Sequence, residues 1–251
     1  MKRAADRLVR VLLAGAVGCE DPCADGALAW MEDGTTWGPG SDTAGDYDQE
    51  TIRLADGDVA NVCPGDWEME IDVVTDGGES SVVGAGAGST TFVRGRGQQV
   101  FYTIGSGHLT VRDLSIRGGV MTGATGDGEP LSDTVTRGAG FAAGVDETTL
   151  DSVVIEDNQA AEGGGIGVGP GKVLTVRNSQ IVGNRAEAGG GAALAFAGSQ
   201  LISENTDWGT GADDNAPDDI AITGDHREVY ASFSFGAAAS FTCAWDTRTC
   251  D

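Results

Sequence analysis

The 251-residue chain has few basic side chains: 15 Lys and Arg stand against 39 Asp and Glu, which gives a net charge of -24. Such a surface repels nucleic acid, anionic lipid and acidic polysaccharide, so none of these is expected as a partner. Histidine is also scarce, and neither His108 nor His226 has a Ser or Cys partner motif, so both are expected at the surface rather than in catalysis. No Cys-x-x-Cys pair occurs, which argues against a zinc site.

The sequence also lacks any window with the periodicity of an amphipathic helix, whereas short runs rich in Val, Ile, Leu and Thr alternate as half-buried strands do. An eleven-residue pattern, I-x-x-N-x-A-x-x-G-G-G, occurs twice, beginning at Ile155 and again 26 residues later at Ile181. A repeat of this period predicts stacked units, because one unit cannot bury its apolar face alone. The alternative, a disordered glycine-rich region, does not explain apolar residues at a fixed phase.

Glycine and asparagine recur at fixed phases of the repeat. Glycine clusters open three units, and each unit then runs through a short apolar stretch to an asparagine: Asn158, Asn184 and Asn205. The glycines are expected at sharp turns, where their backbone freedom is needed. We predict that the three asparagines form an inward ladder in which each side-chain amide bonds to the next, although the interval from Asn184 to Asn205 is only 21 residues.

The repeated pattern resembles that of the polymorphic outer membrane proteins of chlamydiae and of bacterial surface proteins that have a right-handed parallel β-helix. Residues 50–222 as a whole are similar to the pectin-lyase-like architecture. The repeat and the resemblance together predict an all-β, single-stranded right-handed parallel β-helix, a solenoid of about six to eight coils with capped ends. The expected organisation is a signal peptide at 1–18, a tether and cap at 19–49, the β-helix at 50–222 with a loop insertion at about 120–137, and C-terminal strands with a disulfide cap at 223–251.

The first 19 residues have the layout of a secretory signal, in which basic residues precede an apolar run from Val11 to Val17. The end of this run resembles a bacterial lipobox, which implies that Cys19 becomes lipidated, although Ala16 stands where a large aliphatic residue is usual. We therefore expect an exported protein that is held by a lipid in the cell envelope, at the outer membrane or cell surface. Ordinary secretion is the alternative.

Five cysteines are present, and assigning Cys19 to a lipid leaves an even set of four. Four cysteines allow three pairings. We favour Cys243 with Cys250 because they are close in sequence, and Cys23 with Cys63, which would tie the N-terminal segment to the first coil. Free buried thiols are the alternative.

No motif marks an active site. Asp213, Asp214, Asp218 and Asp219 supply oxygen ligands for a metal ion, but they do not follow a known calcium loop, so we expect no cofactor and keep structural calcium as a secondary hypothesis. Arg112 and Arg177 occupy equivalent repeat positions and are expected to be solvated strand residues.

Two function classes remain. The favoured one is a non-enzymatic envelope lipoprotein that uses its side faces and loops for adhesion, structural contact or glycan binding, with a carbohydrate or a cell-surface protein as partner. The alternative, which the resemblance to pectin-lyase-like proteins suggests, is a polysaccharide lyase or hydrolase.

Overall fold

The computed structural model describes residues 22–24, 26–38, 49–93, 99–121, 137–224 and 228–251. These residues form 21 strands and no helix, which confirms the all-β prediction. The N-terminal strands are β1 Ala29–Trp30, β2 Thr36–Trp37, β3 Gln49–Leu54, β4 Val59–Val62, β5 Gly65–Glu68, β6 Glu70–Val83 and β7 Thr90–Val93.

Eleven strands make up the middle of the chain, and three follow at its C-terminal end. The middle strands are β8 Phe101–Arg112, β9 Ser115–Arg117, β10 Phe141–Ala143, β11 Glu147–Asp151, β12 Val154–Glu156, β13 Ile166–Val168, β14 Val173–Arg177, β15 Gln180–Val182, β16 Ala192–Leu194, β17 Gln200–Thr206 and β18 Ile220–Thr223. The C-terminal strands are β19 Val229–Phe233, β20 Ala239–Ala244 and β21 Thr249–Cys250.

Equivalent strands of successive repeat units pair in parallel and in register. The two Ile residues that open the eleven-residue pattern, Ile155 of β12 and Ile181 of β15, are direct partners. Strands β10, β13, β16 and β18 stack in the same way, as do β8, β11, β14 and β17. The sequence repeat therefore sets the strand register, because a shift by one residue would turn every buried side chain outward.

The predicted single-stranded right-handed parallel β-helix of six to eight coils is nevertheless wrong. Sixteen strands join in one mixed sheet, and the other five form a separate parallel sheet in the order β15-β12-β9-β7-β5. The mixed sheet contains antiparallel pairs near both ends of the chain, between β1 and β2, β1 and β4, β17 and β20, β18 and β19, and β20 and β21.

Two long strands explain how the sheet becomes continuous. Strand β6 has 14 residues and β8 has 12, where later units have separate short strands. The first residues of β8, Phe101 and Tyr102, pair with β10, and its last five pair with β11. Strand β8 thus pairs with both β10 and β11, which the repeat pattern alone would place on different faces of the predicted solenoid.

The core lies between the two sheets and consists of the inward side chains of every unit. Phe101 is fully buried and contacts Phe92 and Phe141, with ring centroids 5.7 and 5.4 Å away. At the C-terminal end Trp208 is fully buried and packs on Phe241 at 5.6 Å. Burial of side chains of this size supplies roughly 1.5–3 kcal/mol each toward folding.

Candidate functional site

A cleft of about 480 Å³ lies on the outer face of the mixed sheet. Tyr102, Ala142 and Gly167 are direct partners on β8, β10 and β13, and each follows a residue whose side chain points into the core. Since side chains alternate along a strand, these three face outward. The backbone of Arg137 and Gly138 covers Gly167, where an added Cβ would stand 3.0 Å from it. The cleft therefore opens beside this covering segment, next to Tyr102 and Ala142.

Aromatic, aliphatic and polar side chains form the walls around this floor. The residues that line the cleft are Gln99, Tyr102, Ile104, Gly105, Arg137, Ala142, Ala143, Gly144, Gly167, Val168, Gly169, Pro170, Lys172 and Phe196. Most of this surface is apolar, and Ile104 is 46% exposed. A concave apolar surface with a few polar groups is typical of ligand sites, whose volumes run from ~300 to 1,000 Å³.

Arg137 lines the cleft and is held in place by buried contacts. Its side chain is only 5% exposed, and its Nε donates a hydrogen bond to Oε2 of Glu162 over 2.7 Å. The hydroxyl of Thr223 donates to the same oxygen at 2.9 Å. The guanidinium lies 4.7 Å from the centroid of the Phe196 ring, and the backbone oxygen of Arg137 accepts a bond from Nε2 of Gln99 at 2.7 Å. Removing either ion-pair partner would leave a buried charge, at a cost of about 3–5 kcal/mol.

Lys172 stands at the rim and is also paired. Its Nζ lies 2.8 Å from Oδ1 of Asp146, and Oδ2 of the same carboxylate accepts a bond from the Gly107 N–H. The hydrogen bond from Lys172, followed by the one from Gly107, holds the pKa of Asp146 below its usual value. Among the described residues, the two cationic side chains that line the cleft, Arg137 and Lys172, therefore each have a carboxylate partner.

Two of the three predicted ladder asparagines lie in a buried ladder. Oδ1 of Asn184 accepts bonds from Nδ2 and the backbone N–H of Asn158, at 3.0 and 3.1 Å. The same two donor groups of Asn184 in turn contact Oδ1 of Asn215, at 3.1 and 3.0 Å. Asn215 Nδ2 then donates to Oδ1 of Asp219 at 2.8 Å, so the ladder ends on a buried carboxylate.

The assignment of Asn205 to this ladder is wrong. Asn205 is exposed and has a φ of 48°, the left-handed conformation that asparagine tolerates at turns. Its Nδ2 donates to Oδ1 of Asn178 at 3.1 Å, outside the core. The true partner of Asn184 is Asn215, 31 residues further along the chain. Asn205 lies near the end of β17, and the ladder position comes only after the additional loop that contains Trp208.

The four aspartates predicted as possible calcium ligands differ in their exposure. Asp213 and Asp214 are exposed, whereas Asp219 is buried and accepts bonds from Asn215 Nδ2 and the Phe235 N–H. Burial raises the pKa of Asp219 to about 6, against the lowering effect of these two hydrogen bonds. Nowhere in the described part of the chain do three His, Cys, Asp or Glu side chains form a group that could hold a metal ion. Asp219 is thus a structural carboxylate, and calcium binding stays a prediction.

The cysteines pair as the favoured scheme predicts. Cys23 bonds to Cys63, and Cys243 bonds to Cys250. The first disulfide ties the N-terminal turn to the end of β4, and the second closes the β20–β21 hairpin. Each lies near an end of the mixed sheet, where strands lack further neighbours.

The remaining candidates have ordinary surface contacts or fall outside the described residues. Nε2 of His108 lies 2.9 Å from Oγ1 of Thr149, Arg112 pairs with Asp113 at 2.8 Å, and Arg177 pairs with Asp151 at 3.0 Å. Cys19, His226, the signal peptide and most of the loop insertion at 120–137 lie outside the described residues. In the described residues no helix is long and apolar enough to cross a membrane.

The cleft was not predicted from the sequence. The residue after the first apolar position of each unit is small, at Ala142, Gly167, Ala193 and Ala221. Ala193 and Ala221 are fully buried beside the turns at Gly163 and Gly189 and do not line the cleft, so this row of small residues indicates close packing of the turns and not a recess. The aromatic residue that lines the cleft, Tyr102, lies before the clear repeats and does not follow their pattern.

Comparisons with known proteins give no relative. No family model, no curated protein and no solved structure matches the chain. The resemblance to the repeats of polymorphic outer membrane proteins therefore stays a prediction.

Proposed function

We propose that this chain is an exported, lipid-anchored protein of the cell envelope, and that it is a non-enzymatic scaffold which binds a surface glycan or another envelope component through the outer-face cleft. The cleft is the observation that carries the proposal. It is the size of a small-molecule site, and its aromatic and aliphatic walls rest on rigid, paired strands.

Two further observations support an exported protein. Disulfide bonds persist mainly in oxidising compartments, and the two pairs here use all four cysteines other than Cys19. The strongly negative net charge keeps the exterior solvated and disfavours attachment to anionic lipid by charge alone. Attachment would therefore depend on the lipid at Cys19.

Metabolic labelling with a tagged fatty acid tests the anchor. The full-length protein is expected to carry the label and to fractionate with membranes. The Cys19→Ser variant is expected to lose both properties, while Cys23→Ser, which removes a disulfide cysteine, keeps the label. Labelling of Cys19→Ser at the level of the wild type would overturn the anchor.

Polysaccharide turnover tests the non-enzymatic assignment. Incubation of the purified protein with a panel of neutral and acidic polysaccharides, with and without Ca²⁺, is expected to leave reducing ends and unsaturated products at background. Product formation that Tyr102→Ala abolishes would instead establish a carbohydrate-active enzyme.

A further inference from the structure

The geometry points to a specific ligand class for the cleft: we infer that it binds an uncharged oligosaccharide, with one sugar ring stacked on Tyr102. This inference rests on the proposed function, since it names the ligand of the same site. Three features of the described residues carry it, namely the shape of the floor, the compensation of charge and the placement of the polar groups.

The floor offers a flat apolar contact beside an aromatic ring. Tyr102 is half-buried, and its direct partners in the same outward row are Asp72 on β6 and Ala142 on β10. A side chain larger than alanine at position 142 would fill the space beside the ring. A sugar ring has an apolar face of C–H groups, and a tyrosine combines an apolar ring with a polar hydroxyl. Tyr102 and Ala142 therefore provide an apolar surface that suits the C–H face of a sugar ring.

The described charged side chains of the cleft disfavour an acidic ligand. Arg137 is paired with Glu162 at 2.7 Å, and Lys172 is paired with Asp146 at 2.8 Å. Each of these cations is already compensated by a carboxylate, so neither offers an unbalanced positive charge to an acidic group. An acidic sugar would also approach a chain whose net charge is -24. Repulsion of this kind lowers the rate of encounter and the affinity together.

Three residues that line the cleft, Gln99, Tyr102 and Lys172, carry polar groups. The Gln99 amide donates to the Arg137 carbonyl oxygen and keeps its own oxygen as an acceptor, and the Lys172 ammonium can donate to a hydroxyl while it keeps its carboxylate partner. Ring hydroxyls project from the edges of a sugar, so they would meet these groups when the ring lies flat. An acyl chain could not bond to the donor and acceptor sites that these groups leave open, at a cost of roughly 1–3 kcal/mol for each such site that becomes buried.

Isothermal titration with short neutral and acidic oligosaccharides tests the inference. The purified full-length protein is expected to bind at least one neutral oligosaccharide and to show little change between low and high salt. Tyr102→Ala is expected to weaken this binding about 10-fold or more, whereas Tyr102→Phe, which keeps the ring, is expected to weaken it by only a few-fold. Val59→Ala removes an exposed apolar side chain outside the cleft and should bind as the wild type does.

Other outcomes overturn the inference without touching the anchor at Cys19. Binding of acidic oligosaccharides alone, or of a fatty acid that no sugar displaces, would show that the cleft takes a different ligand. Absence of binding to every sugar by the folded wild-type protein would also overturn the inference. If intact envelope preparations then still bound in a Tyr102-dependent manner, the proposed function would stand and only the ligand class would fall. Circular dichroism of each variant separates loss of binding from loss of fold.

Discussion

Removal of the Asn184 side chain tests the buried ladder most sharply. Four side-chain hydrogen bonds would be lost: Oδ1 accepts from Nδ2 and the backbone N–H of Asn158, and Nδ2 donates to the Ile155 carbonyl and to Oδ1 of Asn215. Each bond contributes about 1 kcal/mol net, and the partners left behind are buried. We therefore expect Asn184→Ala to lower the free energy of unfolding by ~4 kcal/mol.

Asn205→Ala is the matched control, because it is the same chemical change at an exposed position. It loses one exposed hydrogen bond to Asn178 and places alanine at a φ of 48°, which costs about 1 kcal/mol. Asn215→Ala, by contrast, should cost as much as Asn184→Ala. Urea unfolding followed by circular dichroism measures all three, with unchanged m-values as the check on two-state behaviour. Equal losses for Asn184→Ala and Asn205→Ala would refute the ladder as described.

Three further predictions concern stability. Thr148 is buried, and its Oγ1 has no hydrogen-bond partner among the described residues, so Thr148→Val should raise the free energy of unfolding by ~1 kcal/mol. Thr149→Val, by contrast, loses the contact with His108 and should lower the free energy of unfolding. Because the pKa of Asp219 is raised from 3.8 to about 6 in the folded state, its stabilising contribution is full below pH 3.8 and is lost as the pH rises through about 6. The stability of the wild type relative to Asp219→Asn should therefore fall by about 1–2 kcal/mol between pH 4 and pH 7 after allowance for solvent screening, and a constant difference would contradict it. Replacing Cys23 and Cys63 by Ala should lower the free energy of unfolding by ~4 kcal/mol, and replacing Cys243 and Cys250 should lower it by ~2.5 kcal/mol. The difference is expected because the first disulfide spans 40 residues and the second spans 7. Thermal unfolding that reverses this order would count against the chain-entropy explanation.

Features that depend on repeat phase could be predicted from the sequence. The pairing of Ile155 with Ile181 follows from their equal positions in the eleven-residue pattern. The glycine clusters do lie at turns: Gly163 has a φ of 57°, and a side chain there would collide with the Ile166 carbonyl oxygen. Position in the repeat thus predicts strand register and the residues at turns, because equivalent residues of successive units stack on one another.

The continuous sheet could not be predicted, because glycines inside long strands look like turn signals. Gly77 and Gly78 have positive φ angles within β6, and Gly105 and Gly107 have them within β8. There they accompany an irregularity in the pairing of β6 with β8 rather than a break in the strand. The local sequence does not show whether such glycines form a bulge within one strand or a turn between two strands. A bulge keeps β8 continuous, and a continuous β8 pairs with both β10 and β11.

The ladder end and the cleft were missed for a related reason. Asn215 follows Asn184 by 31 residues, where the preceding interval is 26, and no local pattern shows which asparagine regains the inward phase. The cleft brings together Tyr102, Ala142 and Phe196, which lie far apart in sequence. Residues at different phases of the repeat that meet in this way leave no periodic pattern in the sequence.

Fluorine NMR of the tyrosines tests the central claim that the cleft is the binding site. The chain has three tyrosines, so protein labelled with fluorotyrosine should give three signals, and Tyr102→Phe assigns the one in the cleft. Addition of a neutral oligosaccharide is predicted to shift the Tyr102 signal while that of Tyr230, on β19, stays in place. A Tyr102 signal that does not move when the protein is saturated with a bound ligand would contradict the assignment of function to this cleft.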